Sequence, residues 1–172
     1  MRHFNVEIKA RCKNQGKIRD ILKSKNADFR GVDHQVDTYF KVVSGRLKLR
    51  EGKIENVLVF YNRQNKKGPK ESQVILFESD DPPTLKEILA KSLGILAVVD
   101  KQREIYFIDN IKFHIDKVKN LGTFVEIEAI DEIGKASRQK LLKQCRGYLK
   151  LFDIKPQDLV SKSYGDLILK RA

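Results

Sequence analysis

The chain has 172 residues, 34% charged and 41% hydrophobic, which excludes a disordered polyelectrolyte and leaves room for one domain, residues 1–172, with a substantial core. Its 35 Lys and Arg against 23 Asp and Glu give a net charge of +12, so a polyanionic partner is expected: nucleic acid, an acidic membrane or a phosphorylated small molecule. No apolar run approaches the ~20 residues that cross a bilayer, and Met1-Arg2-His3-Phe4 leads straight into a strand pattern, so the expectation is a soluble cytoplasmic protein with no membrane role.

The first strand reads Phe4-Asn5-Val6-Glu7-Ile8-Lys9-Ala10-Arg11-Cys12, with Asn5, Glu7, Lys9 and Arg11 on one face and apolar residues on the other. Helical spacing of Ile18, Ile21 and Leu22 predicts an outer helix over 15–25, ending near Asn26. Strands are predicted at 29–41, 46–51, 55–63 and 70–78, separated by Ser44-Gly45, Glu51-Gly52 and the looser, solvated turn Asn65-Lys66-Lys67-Gly68-Pro69-Lys70. Pro82-Pro83-Thr84 opens a second helix that Gly94 is placed to end. Three more strands follow at 97–108, 111–118 and 123–130. An amphipathic helix spans 137–152, and a short last helix spans 163–170. Cys12 and Cys145 lack C-x-x-C spacing, so free buried thiols are expected rather than a disulfide, zinc or redox site.

Charged stripes recur along these strands. Arg46, Lys48 and Arg50 alternate with leucines, Lys101 and Arg103 flank Gln102, His114 and Asp116 flank Ile115, and Glu126 and Glu128 alternate with apolar residues. Eight strands in short-linked succession, with helices in the longer connections, predict an α+β fold: an antiparallel β-barrel, closed or nearly closed, with helices packed outside. If the apolar faces meet the helices, the charged faces line a tunnel; the alternative is an ordinary sheet with a solvated charged face. Lys9, Lys48, Arg50, Arg63, Lys101 and Arg103 would then form a cationic cluster that calls for a ligand with several negative charges, such as a linear triphosphate. Glu7, Glu126 and Glu128 add carboxylates that would repel phosphate unless Mg2+ or Mn2+ lay between. Asp116 could orient a basic side chain or join the metal shell. The combination reads as metal-dependent phosphoryl or nucleotidyl transfer.

At these residues the sequence resembles a known family. Asn5-Val6-Glu7-Ile8-Lys9 resembles the E-x-E-x-K signature of the CYTH superfamily, the triphosphate tunnel metalloenzymes. Asp37-Thr38-Tyr39-Phe40, Gly45 to Arg50, Lys101-Gln102-Arg103, Phe113 to Asp116, Leu121 to Glu128 and Ser163-Tyr164 resemble, in order, segments of its class IV adenylyl cyclase branch. The resemblance implies an eight-stranded tunnel. In it Lys9, Lys48, Arg50, Arg63, Lys101 and Arg103 would hold the triphosphate and Glu7, Glu126 and Glu128 the metal. Separately, the chemistry of the residues makes Lys9 and Asp116 the candidate catalytic residues, Lys9 as a base only if its pKa were strongly lowered. The resemblance also implies a homodimer, and ATP as the substrate, cyclised to cAMP and pyrophosphate. Hydrolysis of inorganic, thiamine or nucleoside triphosphate is the alternative on the same scaffold. One position departs from the signature: Asn5 replaces its first acid, offering a carbonyl oxygen but no charge, which weakens metal binding or removes a second metal site. A protein that binds polyphosphate without catalysis is the alternative this departure opens, while the remaining acidic and basic positions of the pattern are intact.

A nucleic-acid-binding barrel is the non-enzymatic rival, and the sequence argues against it, because the basic strand residues have acidic partners and aliphatic neighbours rather than interleaved aromatics. No P-loop, G-x-S-x-G or H-E-x-x-H occurs. His114 reads as a strand histidine bonded to its neighbours, and His3 and His34 as solvent-facing. Tyr39 and Tyr61 read as packing residues that could also contact a nucleotide.

Overall fold

A computed structural model describes residues 1–131, 134 and 136–171. The strands are β1 (Arg2–Arg11), β2 (Asp28–Phe40), β3 (Arg46–Glu51), β4 (Val57–Arg63), β5 (Lys70–Glu78), β6 (Ile95–Ile108), β7 (Ile111–Val118) and β8 (Gly122–Asp131). They close into a barrel in the order β1-β5-β4-β3-β2-β6-β7-β8, every pair antiparallel. Closure is made by β1, which pairs with β5 on one side and β8 on the other. The solvated-sheet alternative is thereby excluded.

The helices are α1 (Gln15–Ser24), α2 (Pro82–Leu93), α3 (Arg138–Leu151) and α4 (Tyr164–Leu169), with a short 3-10 turn at Pro156–Asp158 that the sequence pattern does not announce. Their ends follow local chemistry. Asn14, Asp81, Ser137 and Ser163 each accept a backbone N–H of the first turn, and Asn26 takes the left-handed conformation, φ 53°, beyond α1.

The hydrophobic core lies outside the barrel wall. Val6, Ile8 and Ala10 of β1, Phe113 and Ile115 of β7, and Val125 and Ile127 of β8 pack against Ile18 and Leu22 of α1 and Leu141 and Cys145 of α3. Full burial of each large apolar side chain contributes about 1.5–3 kcal/mol relative to leaving it in water, which ties α1 and α3 to this half of the wall. Because side chains alternate along a strand, fixing the apolar residues outward turns Asn5, Glu7 and Lys9, and likewise Glu126 and Glu128, inward. A smaller cluster of Val59, Tyr61 and Val74 faces inward from β4 and β5. Both cysteines are free, Cys145 buried and Cys12 half-buried. No helix among the described residues is long and apolar enough to cross a membrane.

Candidate active site in the barrel interior

The barrel encloses a cavity of about 540 Å³, within the usual size of small-molecule sites. Glu7, Lys9, Lys48, Arg50, Arg63, Arg103, Glu126 and Glu128 all line it, as do Asn5, Glu55, Lys112 and His114. Lys101 and Asp116 are not among the lining residues; both are fully buried one layer behind, each holding a neighbour in place. Arg11 is exposed at the end of β1, where it donates to the Leu121 carbonyl instead of entering the cavity.

The interior cations are neutralised from within. Asp37, wholly enclosed, takes Lys48 Nζ at 2.8 Å, Arg50 Nε at 3.0 Å and Lys101 Nζ at 2.7 Å. Burial alone would raise its carboxyl, but Arg50, Lys101 and Lys48 together hold it well below the usual range. The same environment acts the other way on Lys48, where burial and then Arg50 push the ammonium down to about 8 against the pull of Asp37. Arg103 makes a two-pronged pair with Asp116, Nε to Oδ1 at 2.7 Å and Nη2 to Oδ2 at 2.5 Å, and reaches Glu126 at 3.1 Å. Lys9 Nζ lies 2.9 Å from the other Glu126 oxygen, and Arg63 pairs with Glu7. An empty cationic cluster would be costly; here carboxylates compensate it in advance, so an incoming anion must exchange partners rather than fill an uncompensated void.

Glu7 stands opposite Glu128, and Lys9 opposite Glu126, across the β1/β8 ladder. Burial lifts the Glu128 carboxyl above its usual range, Glu7 and Glu126 adding to the lift while Lys112 opposes it. Asn5, fully buried, donates from Nδ2 to Glu128, and its Oδ1 has no hydrogen-bond partner. Among the described residues no three His, Cys, Asp or Glu side chains are gathered closely enough to hold a metal unaided. A crowded carboxylate beside an orphaned amide oxygen nevertheless fits a hard cation whose remaining ligands are phosphate oxygens and water.

His114 donates from Nδ1 to Glu126, 3.2 Å away; burial first, then Arg103, push its pKa down to about 3, so the ring is neutral. His34 is exposed and meets Asp100, as its position predicts. His3 is a correction: it is half-buried and lines the cavity, because its place on β1 matches the inward set Asn5, Glu7 and Lys9. Lys70 is a second correction. The turn of Asn65 to Pro69 is largely solvated, but Lys70 opens β5 pointing inward, fully buried, and donates to the Val160 carbonyl at 2.9 Å. Burial and Arg63 lower its pKa to about 7.

The α4 segment lies across one end of the barrel. Tyr164 is buried there, its hydroxyl donating to Asp116 Oδ2 at 2.7 Å, with Lys9 Nζ 3.5 Å from its ring centre. Arg46 of β3 holds Asp166 at 2.9 Å, and Gly165 sits against the Tyr39 ring, where a Cβ would come within 3.1 Å. The opposite end is lined by Met1, Ile54, Val57, Leu76, Phe107 and Ile130 together with Asn56, Glu78, Ser79 and Asp80, a collar of mixed polarity. Sequence reasoning did not assign Glu55, Lys70, Lys112 or Tyr164 a role in the site. Lys112 was legible, since it shares the alternation that placed His114 and Asp116.

A chain folded this way, with cations and carboxylates facing one enclosed cavity, belongs to the CYTH domain family, whose profile matches residues 3–153. A Methanocaldococcus jannaschii protein provisionally named an adenylate cyclase is 29% identical over 182 residues, covering 95% of this chain and 98% of that protein. A solved structure from Vibrio parahaemolyticus, also provisionally named an adenylate cyclase, superposes with a TM-score of 0.78 at 18% identity, covering 96% and 98% of the two chains. HpAC1 of Hippeastrum, provisionally an adenylyl cyclase and described as having a dominant triphosphatase activity, superposes at 0.64 with 13% identity over 98% and 95%.

Proposed function

We propose that this protein is an adenylyl cyclase of the class IV kind, converting ATP to cAMP and pyrophosphate with Mg2+ or Mn2+. The observation that carries the reading is how the cavity lining is distributed: Lys9, Arg63, Arg103 and Glu126 stand toward α4, while the large apolar side chains Met1, Ile54, Val57, Leu76, Phe107 and Ile130 gather at the other end, beside Asn56, Glu78, Ser79 and Asp80. A triphosphate with an organic group matches both halves, its phosphates among the cations and its nucleoside in the collar.

Lys9, Lys48, Arg50, Arg63, Lys101 and Arg103 are the residues assigned to the triphosphate, those facing the cavity by direct contact and Lys101 by fixing Asp37 behind Lys48 and Arg50. Asp116 orients the Arg103 fork, so that a guanidinium edge is presented without a search of rotamers. Glu7, Glu126 and Glu128, with Asn5 Oδ1, are the oxygens assigned to the cation. What such a cation supplies is neutralisation of phosphate oxygens and polarisation of the reacting phosphorus. In the reaction the ribose 3′ oxygen forms a bond to the α-phosphorus, the bond from that phosphorus to the β-bridging oxygen breaks, and the hydroxyl proton is released. Arg63 and Arg103, both paired to carboxylates before substrate arrives, then meet the charge that develops on the leaving pyrophosphate.

Incubating the purified protein with Mg2+ or Mn2+ and, separately, ATP, inorganic triphosphate and thiamine triphosphate tests the reading. Formation of cAMP and pyrophosphate in equal amounts from ATP is expected. Orthophosphate without cAMP would assign hydrolysis instead, the reaction in which water attacks the terminal phosphorus, and no turnover of any of the three would leave a binding protein.

A further inference from the structure

Among the described residues, Glu7, Asp37, Asp116 and Glu126 reach the interior cations from strands, whereas Glu55 reaches them from the turn between β3 and β4. Its carboxylate accepts from Arg50 Nη1 at 2.7 Å and Gln35 Nε2 at 2.9 Å and pairs with Lys112 Nζ. The turn is seated by one buried side chain: Asp33 accepts the Lys53 amide at 2.7 Å, the Glu55 amide at 3.2 Å and Gln35 Nε2 at 2.9 Å. Gly52 permits that seat, since a Cβ there would lie 2.5 Å from Asp33 Oδ2. Two oxygens held between a guanidinium and an ammonium, facing the cavity, reproduce what two phosphate oxygens would do at the same place. A phosphate cannot share the position, because adjacent anions of like charge repel.

We propose that Glu55 is a resident stand-in for phosphate between Arg50 and Lys112, and that the 52–56 turn withdraws it when a polyphosphate enters. The inference rests on the polyphosphate reading above. It makes the turn a length filter. A single phosphate gains only the Arg50 and Lys112 contacts that Glu55 gives up, while a triphosphate adds contacts deeper among Arg63, Arg103 and Lys9, which tips the exchange.

Isothermal titration with inorganic tripolyphosphate and with orthophosphate, both without metal, compares the wild type with Glu55→Gln and Gly52→Ala. Glu55→Gln removes the competing charge, and Gly52→Ala keeps the charge but places a methyl group against Asp33. Both are expected to bind tripolyphosphate about tenfold more tightly, as when a closed state populated about ten to one is abolished, and to bind orthophosphate more tightly than the wild type does. In the wild type, hydrogen exchange at the Lys53 and Glu55 amides should quicken on adding tripolyphosphate, a readout that needs no variant to fold. Wild-type binding with equal or weaker binding by both variants, or with slowed exchange at those amides, overturns the proposal and makes Glu55 a positioning residue. Tripolyphosphate binding by none of the three proteins overturns the polyphosphate reading and this inference with it.

Discussion

Arg103 shows how strongly single residues are committed in this interior. It is 2% exposed, forked onto Asp116 and touching Glu126. Truncating one partner of such a buried set strands the others without compensation, at a cost of about 3–5 kcal/mol. Arg103→Ala should therefore lower the urea midpoint as well as abolish polyphosphate binding. Arg103→Lys should recover part of the stability and little of the binding, because an ammonium cannot present a two-pronged edge. The inward residues of the strands were legible in the sequence for a simple reason: alternation assigns each to a face, and one apolar face fixes the other. Lys9, Lys48, Arg50, Arg63, Arg103, Glu7, Glu126 and Glu128 all reach the cavity on that basis. Glu55 was not legible, since its direction is set by the Asp33 seat, a contact between residues 20 and 22 positions apart that no local pattern encodes.

At the scale of elements, α4 is the most exacting piece. Six residues long, it is too short to be stable alone. It is held instead by the Ser163/Asp166 capping box, by Arg46, and by the insertion of Tyr164 between Lys9, Asp116 and Phe124. Gly165 lets its backbone close on the Tyr39 ring, with three ring atoms 3.1–3.2 Å from where a Cβ would stand. Gly165→Ala should destabilise by about 1–3 kcal/mol through overpacking, read as a lower thermal midpoint and as faster proteolysis of the C-terminal segment. The strand and helix boundaries were largely legible, because turn residues such as Gly45, Asn120 and Gly122 punctuate the chain and take the positive φ those turns need. That the last helix crosses the barrel end instead of packing on the wall was not legible, because Tyr164 meets residues from β1, β7 and β8 that are remote in sequence.

For the whole molecule, the compensated interior fixes the response to acid. Burial would raise Asp37, Glu55 and Glu126, but their cationic neighbours hold all three well below the usual carboxylate range. His114 is displaced down to about 3, by burial and then Arg103. In each case the unfolded chain takes up a proton at a pH where the folded chain does not, so stability falls as pH falls. The His114 contribution is lost from about pH 6.5 downward, toward its folded value of about 3, those of Glu55 and Glu126 from about 4.5 downward, and that of Asp37 from about 3.8 downward. Thermal midpoints should fall progressively between pH 7 and pH 4. His114→Gln should lessen the loss between pH 6.5 and 4.5 while leaving the steeper carboxylate limb below it.

The seal that α4 makes over one end has a kinetic corollary. A passage with a single mouth is traversed in both directions, so fragments of a cleaved substrate depart in the reverse of the sequence in which its parts went in. If the reaction is the cyclisation proposed above, the nucleoside-bearing piece, nearest the collar, would leave first and pyrophosphate, nearest α4, last. On that reading pyrophosphate, rather than cAMP, is the product expected to compete with ATP for the free protein, which product-inhibition kinetics would check.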